Sequence, residues 1–217
     1  MVHLFGRAII APFAKLWLKP VQGLDRLPEP PYIVAANHSS YLDDLFVPCT
    51  FIPLTDREMH IFVNSRYYKS FFLRKFLYHY NCIPVDVAKD VPDEERRRKT
   101  NDKAFAEAAM GLKKGHLFAV FPEGGRSPDG KLQKAKTGVA RVALASQVPV
   151  VPVGIADSYE IMPKGAVFPR FRRAEMRIGA PLTFKRFAGK DDPKTLQAVT
   201  RTIMREIAKL AGQSYGW

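Results

Sequence analysis

The stretch HLFAVFPEGGRSPDGKLQKAKTGVARVALASQ, residues 116–147, decides how this chain is read. It opens with an apolar run, His116 to Phe121, bounded by Gly115 and Pro122. A run this short with such boundaries predicts a buried strand. It closes with a segment from Lys134 to Gln147 that reads as a helix. A polar, glycine-rich loop joins the two. Strand, loop and helix in this order form the building unit of an α/β domain, where ligands bind outside the carboxyl ends of the strands.

Within the loop, GRSPDGK (residues 125–131) has the outline G-x-x-x-x-G-K of a nucleotide-binding P-loop. Leu132 stands where a P-loop requires Ser or Thr for Mg²⁺, and Pro128 removes a backbone N–H from the supposed cradle. The nucleotide reading therefore fails. What remains is PEGGRS, residues 122–127. Gly124 and Gly125 allow the backbone to approach a ligand closely and turn N–H groups toward an anion. Arg126 offers a planar fork suited to a phosphate, and Ser127 adds a hydroxyl. Glu123 is placed to orient that arginine or to accept from a substrate hydroxyl. A surface turn with a solvated Arg/Glu pair is the plainer alternative, and the loop alone does not displace it.

The same alternation runs outward in both directions. YIVAA (32–36), HIFV (60–63), CIPVDV (82–87), VPVVPVGI (148–155) and AEMRIG (174–179) read as strands. Helical patterns follow the first of these through Val47, then cover 66–80 and about Asp93 to Lys114. A final helix starts at Asp192-Pro193, a cap with proline at the first helical position. Its Leu196, Val199, Ile203, Ile207 and Leu210 share one stripe, while Arg201, Arg205 and Lys209 fall off it. The expected fold is α/β: a single domain with a largely parallel or mixed central sheet flanked by helices. An N-terminal segment (1–20) precedes an expected main domain at 21–217.

The second polar strand exit is NHSSYLDD, residues 37–44. His38 and Asp43 lie five residues apart, about 140° around an ideal helix, so they do not share a helical face. The spacing instead suits a histidine in the turn before a helix and an aspartate in the helix's first turns. A carboxylate on one imidazole nitrogen fixes the tautomer and makes the other nitrogen a base toward a hydroxyl or thiol. A turn cap is the structural alternative for the same residues. A metal site from His38, Asp43, Asp44 and His60 finds no support in the spacing, so no metal is expected.

The length of 217 residues suits one well-buried core. A net charge of +13 favours anionic partners: nucleic acid, an anionic membrane surface or phosphorylated substrates. Two cysteines, Cys49 and Cys82, argue against a disulfide framework. HLFGRAIIAPFAKLWLKP (3–20) is broken by Arg7, Pro12 and Lys15 and reads either as a membrane-interface segment or as a helix packed on the domain.

The two polar exits together resemble the glycerolipid acyltransferase family that includes 1-acylglycerol-3-phosphate acyltransferase. NHSSYLD is followed about eighty residues later by FPEGGRS, with the CIPVDV block between them and VPVVPVGI after. The likeness runs from about Val21 to Phe184. It implies that His38 is the general base and Asp43 its orienting partner, acting on an acceptor hydroxyl that attacks an acyl thioester. It implies acceptor binding at Glu123, Gly124, Gly125, Arg126 and Ser127, with Arg126 on the phosphate, and an acyl-donor or acyl-chain role for Pro149 and Pro152. Acyl-CoA or acyl-carrier protein would be the co-substrate, with no cofactor. The implied acceptor is a lysophospholipid, lysophosphatidic acid first, with another lysolipid or a lipid-like alcohol as the alternative. This chain has Gly125 where the family usually has Thr, and Val87 where the second block commonly ends in an arginine; Lys89, Lys134 and Lys136 are the candidate replacements. The resemblance places the protein on the cytoplasmic face of the membrane, peripheral or monotopic, with no nucleic-acid partner. A non-catalytic basic module for membrane or nucleic acid is the alternative of another class, suggested by FPRFRR (168–173).

Overall fold

The central strands are buried throughout, and their successive side chains enter two different apolar clusters in alternation. Ile33 and Ala35 enter one apolar cluster while Tyr32, Val34 and Ala36 enter another. Phe118 and Val120 likewise part from Leu117 and Ala119. Side chains two apart share a face of a strand, so these residues require a sheet covered on both sides. The computed structural model describes residues 11–217 and shows that sheet. Its strands are β1 (Ile33–Ala36), β2 (Met59–Asn64), β3 (Cys82–Val85), β4 (Leu117–Val120), β5 (Val150–Ala156) and β6 (Glu175–Ile178). Their order is β3-β2-β4-β1-β5-β6. Every pairing is parallel except β5 with β6. The expected mixed α/β sheet is thus present, and the carboxyl ends of five strands share one edge.

The helices are α1 (Ala11–Ala14), α2 (Asp43–Thr55), α3 (Phe71–His79), α4 (Glu94–Lys113), α5 (Gly138–Ser146) and α6 (Pro193–Ala211). Asp93 caps α4 by accepting from Arg96 N, and Asp192 caps α6 through Lys194 N and Thr195 N. Leu196, Val199, Ile203 and Ile207 are buried, as the stripe on α6 requires. The helix lies so close to β5 that a Cβ on Gly154 would come within 2.4 Å of the backbone at Leu210 and Ala211. No other residue fits there.

Three elements differ from the sequence expectation. The helix expected over 134–147 begins only at Gly138, because Gln133 N and Lys136 N donate to Glu123 and to Pro122 O instead of entering a helical ladder. The helix expected over 66–80 splits into a 3-10 turn, Ser65–Lys69, and α3, with Ser70 extended between them. In α2 the helix continues past Val47, through Pro48 and Pro53, with Phe46, Val47 and Phe51 buried. Tertiary burial there outweighs the lost backbone hydrogen bonds.

Residues 1–10, half of the expected membrane-interface segment, lie outside the described residues. Of its remainder, Ala14, Trp17 and Leu18 are buried in the core, and Trp17 Nε1 donates to Arg170 O at 3.1 Å. That portion packs on the domain. Among the described residues no helix is long and apolar enough to cross a membrane.

Candidate active site

The polar loops after β1 and β4 meet at the carboxyl edge of the sheet, where their strands are neighbours. Asn37 fixes the first exit by imitating backbone. Its Nδ2 donates to Ile155 O at 2.8 Å and its Oδ1 accepts from Ile155 N at 2.7 Å, so the β1–β5 pairing continues one residue further through a side chain. His38, the next residue, is held through its main chain by the second loop. Its N donates to Glu123 Oε1 at 2.8 Å, and its carbonyl accepts from Ser127 N at 2.8 Å.

The His38 ring stacks on Phe121, with centroids 4.1 Å apart and planes 16° apart. Its Nδ1 lies 3.1 Å from Asp43 Oδ2. Asp43 is fully buried at the start of α2, and the same oxygen accepts from Ser39 N and Ser40 N at 2.7 Å each. The histidine therefore stands in the turn and the aspartate in the first helical turn, the arrangement their spacing suggested. With Nδ1 donating to the carboxylate, Nε2 becomes the acceptor nitrogen. It faces Asp44, whose Oδ1 is 3.7 Å away.

Glu123 does not orient Arg126. Both of its oxygens serve backbone: Oε1 takes His38 N and Oε2 takes Gln133 N at 2.6 Å. Burial pushes its carboxyl up to about 7, opposed by those two donors. Arg126 is paired instead with Asp44, Nη2 to Oδ2 at 2.9 Å, and its guanidinium lies over the Tyr41 ring at 4.0 Å. Its Nε is buried without a hydrogen-bond partner. Gly124 sits at φ 70°, and a Cβ there would meet the Lys136 side chain at 3.0 Å. Lys136 thus lies beside the loop, its ammonium pushed down by desolvation and then by Lys89 and Arg97. A Cβ on Gly125 would meet nothing within 4 Å, so the family's usual threonine has room.

The remaining candidates separate from this cluster. Ser127 is buried and its hydroxyl is spent inside the loop, on Asp129 Oδ1 and Lys131 O. Lys134 is exposed. Pro152 is buried within β5 at the level of Ala35, and Pro149 lies before β5, toward the opposite edge of the sheet. Neither proline joins His38. The Gly130-Lys131 pair forms a turn held by Gln213, whose Nε2 donates to Gly130 O.

Three residues join the site that the sequence did not single out for it. Asp44 partners Arg126, and only its place in the tandem Asp43-Asp44 hinted at a role. Arg66 and Tyr67 follow β2, a third strand exit at the same edge. Arg66 Nη2 donates to Tyr67 OH at 3.0 Å, and hydrogen bonding by Arg66 and then by Arg126 pulls that phenol below its usual value. One arginine thus binds this hydroxyl directly, and Arg126 adds its charge nearby. The turn after β3, where Val87 stands, contributes no arginine; Arg66 stands in the turn after the neighbouring strand β2. Among the described residues no cluster of three or more His, Cys, Asp or Glu side chains is arranged to hold a metal.

A parallel-edge site with an imidazole on a buried carboxylate and a glycine-arginine loop defines a class, and the comparison with known families agrees. The Acyltransferase family model matches residues 20–156. This chain belongs to the acyltransferase family. It is 28% identical over 173 residues to the chloroplastic 1-acyl-sn-glycerol-3-phosphate acyltransferase BAT2 of Brassica napus, covering 76% of this chain and 44% of that one. It is 27% identical over 193 residues to 1-acyl-sn-glycerol-3-phosphate acyltransferase alpha of Mus musculus, covering 83% and 61%. The chain therefore spans less than two thirds of the length of these relatives. Its fold resembles the crystal structure of the 1-acyl-sn-glycerophosphate acyltransferase PlsC from Thermotoga maritima, with a TM-score of 0.66 and 24% identity over 99% of this chain and 83% of that one.

Proposed function

We propose that this chain transfers a fatty acyl group from an acyl thioester, acyl-CoA or acyl-carrier protein, to the free hydroxyl of 1-acylglycerol-3-phosphate, giving phosphatidic acid. The observation that carries the reading is the contact of His38 Nδ1 with the buried Asp43 carboxylate at 3.1 Å, which leaves Nε2 toward Arg126 and Asp44. The names of the relatives support the acceptor.

In this reading His38 Nε2 takes the proton of the acceptor hydroxyl as its oxygen attacks the thioester carbonyl. The tetrahedral intermediate collapses with expulsion of the thiolate, which receives the proton back from His38. Asp43 holds the ring in the required tautomer and stabilises the imidazolium that forms between the two steps. Arg126 exchanges Asp44 for the acceptor phosphate and uses its unpartnered Nε there, with Arg66 and Lys136 adding charge. Glu123 positions His38 and the loop through backbone and does not touch the reactants. The thioester supplies the driving force. Because the acceptor is a lipid, this reading has the protein work at a membrane surface, and we place it on the cytoplasmic face.

The test is acyl transfer from labelled acyl-CoA by the wild type and by His38→Ala. The reading expects the variant to lose transfer while remaining folded, with a lowered melting temperature because a buried ring no longer packs on Phe121 or pairs with Asp43. Unchanged transfer would remove the dyad from the mechanism.

A further inference from the structure

Two exposed apolar and cationic patches flank the site at the carboxyl edge of the sheet. The first follows β2. From Ser65 to Tyr80 the chain holds four cations and no acid, and at its α3 start Phe71 and Phe72 project outward, Phe72 at 82% exposure. The second follows β5. From Lys164 to Arg173 there are again four cations and no acid, with Phe168 80% and Phe171 100% exposed. Leu16 is also exposed, and its neighbour Trp17 is hydrogen-bonded to this loop at Arg170 O.

The topology sets where these patches lie. β2, β4, β1 and β5 are adjacent and parallel, so residues following β2 and β5 leave the same edge. Three strand spacings separate the two exits, about 14 Å. His38 follows β1, between them. Folding gains little from phenyl rings left mostly in water, and four phenylalanines more than half exposed stand on the two sides of the site.

We propose that these two patches seat the chain on an anionic lipid leaflet, with the His38 site opening between them onto the membrane. The inference rests on the lipid acceptor of the proposed function. Phenyl groups without a polar handle, protruding on both sides of one opening, suit a planar apolar phase that takes them all at once. The surrounding cations then lie at the depth of the headgroups, where each adds to attachment on acidic lipid. An acidic carrier protein would answer the charge but leave the phenyl groups without an apolar partner.

Co-sedimentation of the full chain with phosphatidylcholine vesicles, with and without phosphatidylglycerol, tests this directly. The double variants Phe71→Ser/Phe72→Ser and Phe168→Ser/Phe171→Ser are each expected to lower vesicle partitioning about tenfold. Both keep the wild-type melting temperature and their rate on a detergent-dispersed acceptor. Binding strengthens with phosphatidylglycerol and weakens as salt rises from about 0.1 to about 1 M. His38→Ala binds vesicles like the wild type, so loss of docking and loss of chemistry are read separately. Wild-type partitioning in either double variant overturns the two-sided placement. Lost affinity for an acyl-carrier protein with vesicle binding intact assigns the patches to that protein and overturns the proposal.

Discussion

His38 Nδ1 stands 3.1 Å from Asp43 Oδ2, an oxygen that also receives the backbone N–H groups of Ser39 and Ser40. The aspartate thus shapes the turn and aims the ring with the same atom. Asp43→Ala strands two buried N–H groups, each costing about 1–3 kcal/mol, so its loss of activity would be confounded by loss of fold. His38→Ala takes out a buried ring but leaves the backbone hydrogen bonds of the turn in place, and lowers kcat by about 10²- to 10⁴-fold. Asp43→Asn keeps one acceptor oxygen for the turn and lowers kcat with little change in KM. Steady-state kinetics beside thermal melts distinguishes these outcomes.

Arg126 is expected to act on phosphate alone. Arg126→Ala removes a charge-assisted contact worth about 1.5–3 kcal/mol and raises KM for a phosphorylated acceptor roughly 10- to 100-fold. A monoacylglycerol acceptor, which has no phosphate, is unaffected. Arg66→Ala moves KM in the same direction by less, because Arg66 is exposed. Equal losses on both acceptors would refute the phosphate role of either arginine.

The adjacent glycines should respond in opposite ways. Gly124→Ala forces a side chain into a left-handed backbone and against Lys136, costing roughly 1–2 kcal/mol in a denaturant titration. Gly125→Thr enters open space and shifts stability by no more than about 0.5 kcal/mol.

Glu123 makes stability depend on pH. Its folded carboxyl holds a proton up to about 7, whereas the ordinary value is 4.5. Between these limits the unfolded chain binds fewer protons than the folded one, so stability falls as pH rises and the loss is complete above about 7. Glu123→Gln removes that slope. It also sets an amide NH₂ against either His38 N or Gln133 N, lowering stability by about 1–3 kcal/mol at low pH. Melting temperatures of both proteins across pH 4.5 to 7 provide the comparison.

The sheet was legible in the sequence because its strands are short runs rich in apolar residues bounded by turn residues, and that signal is local. The pairing of His38 with Asp43 was legible for the same reason: five residues place one in the turn and one in the helix. The role of Glu123 was not. A carboxylate three residues before an arginine suggests an ion pair, yet strand β4 delivers Glu123 beneath the His38 loop, where backbone donors claim both oxygens. Its arginine then turns to Asp44, eighty-two residues away. Arg66 and Tyr67 were illegible because their segment reads as the start of a helix over 66–80; only the strand order brings the β2 exit beside Arg126. By itself the sequence determined most of the elements and the placing of His38 in the turn before Asp43, whose causes lie within a few residues. Tertiary structure alone decided which carboxylate faces which cation, because parallel crossovers bring together groups that chain distance keeps apart.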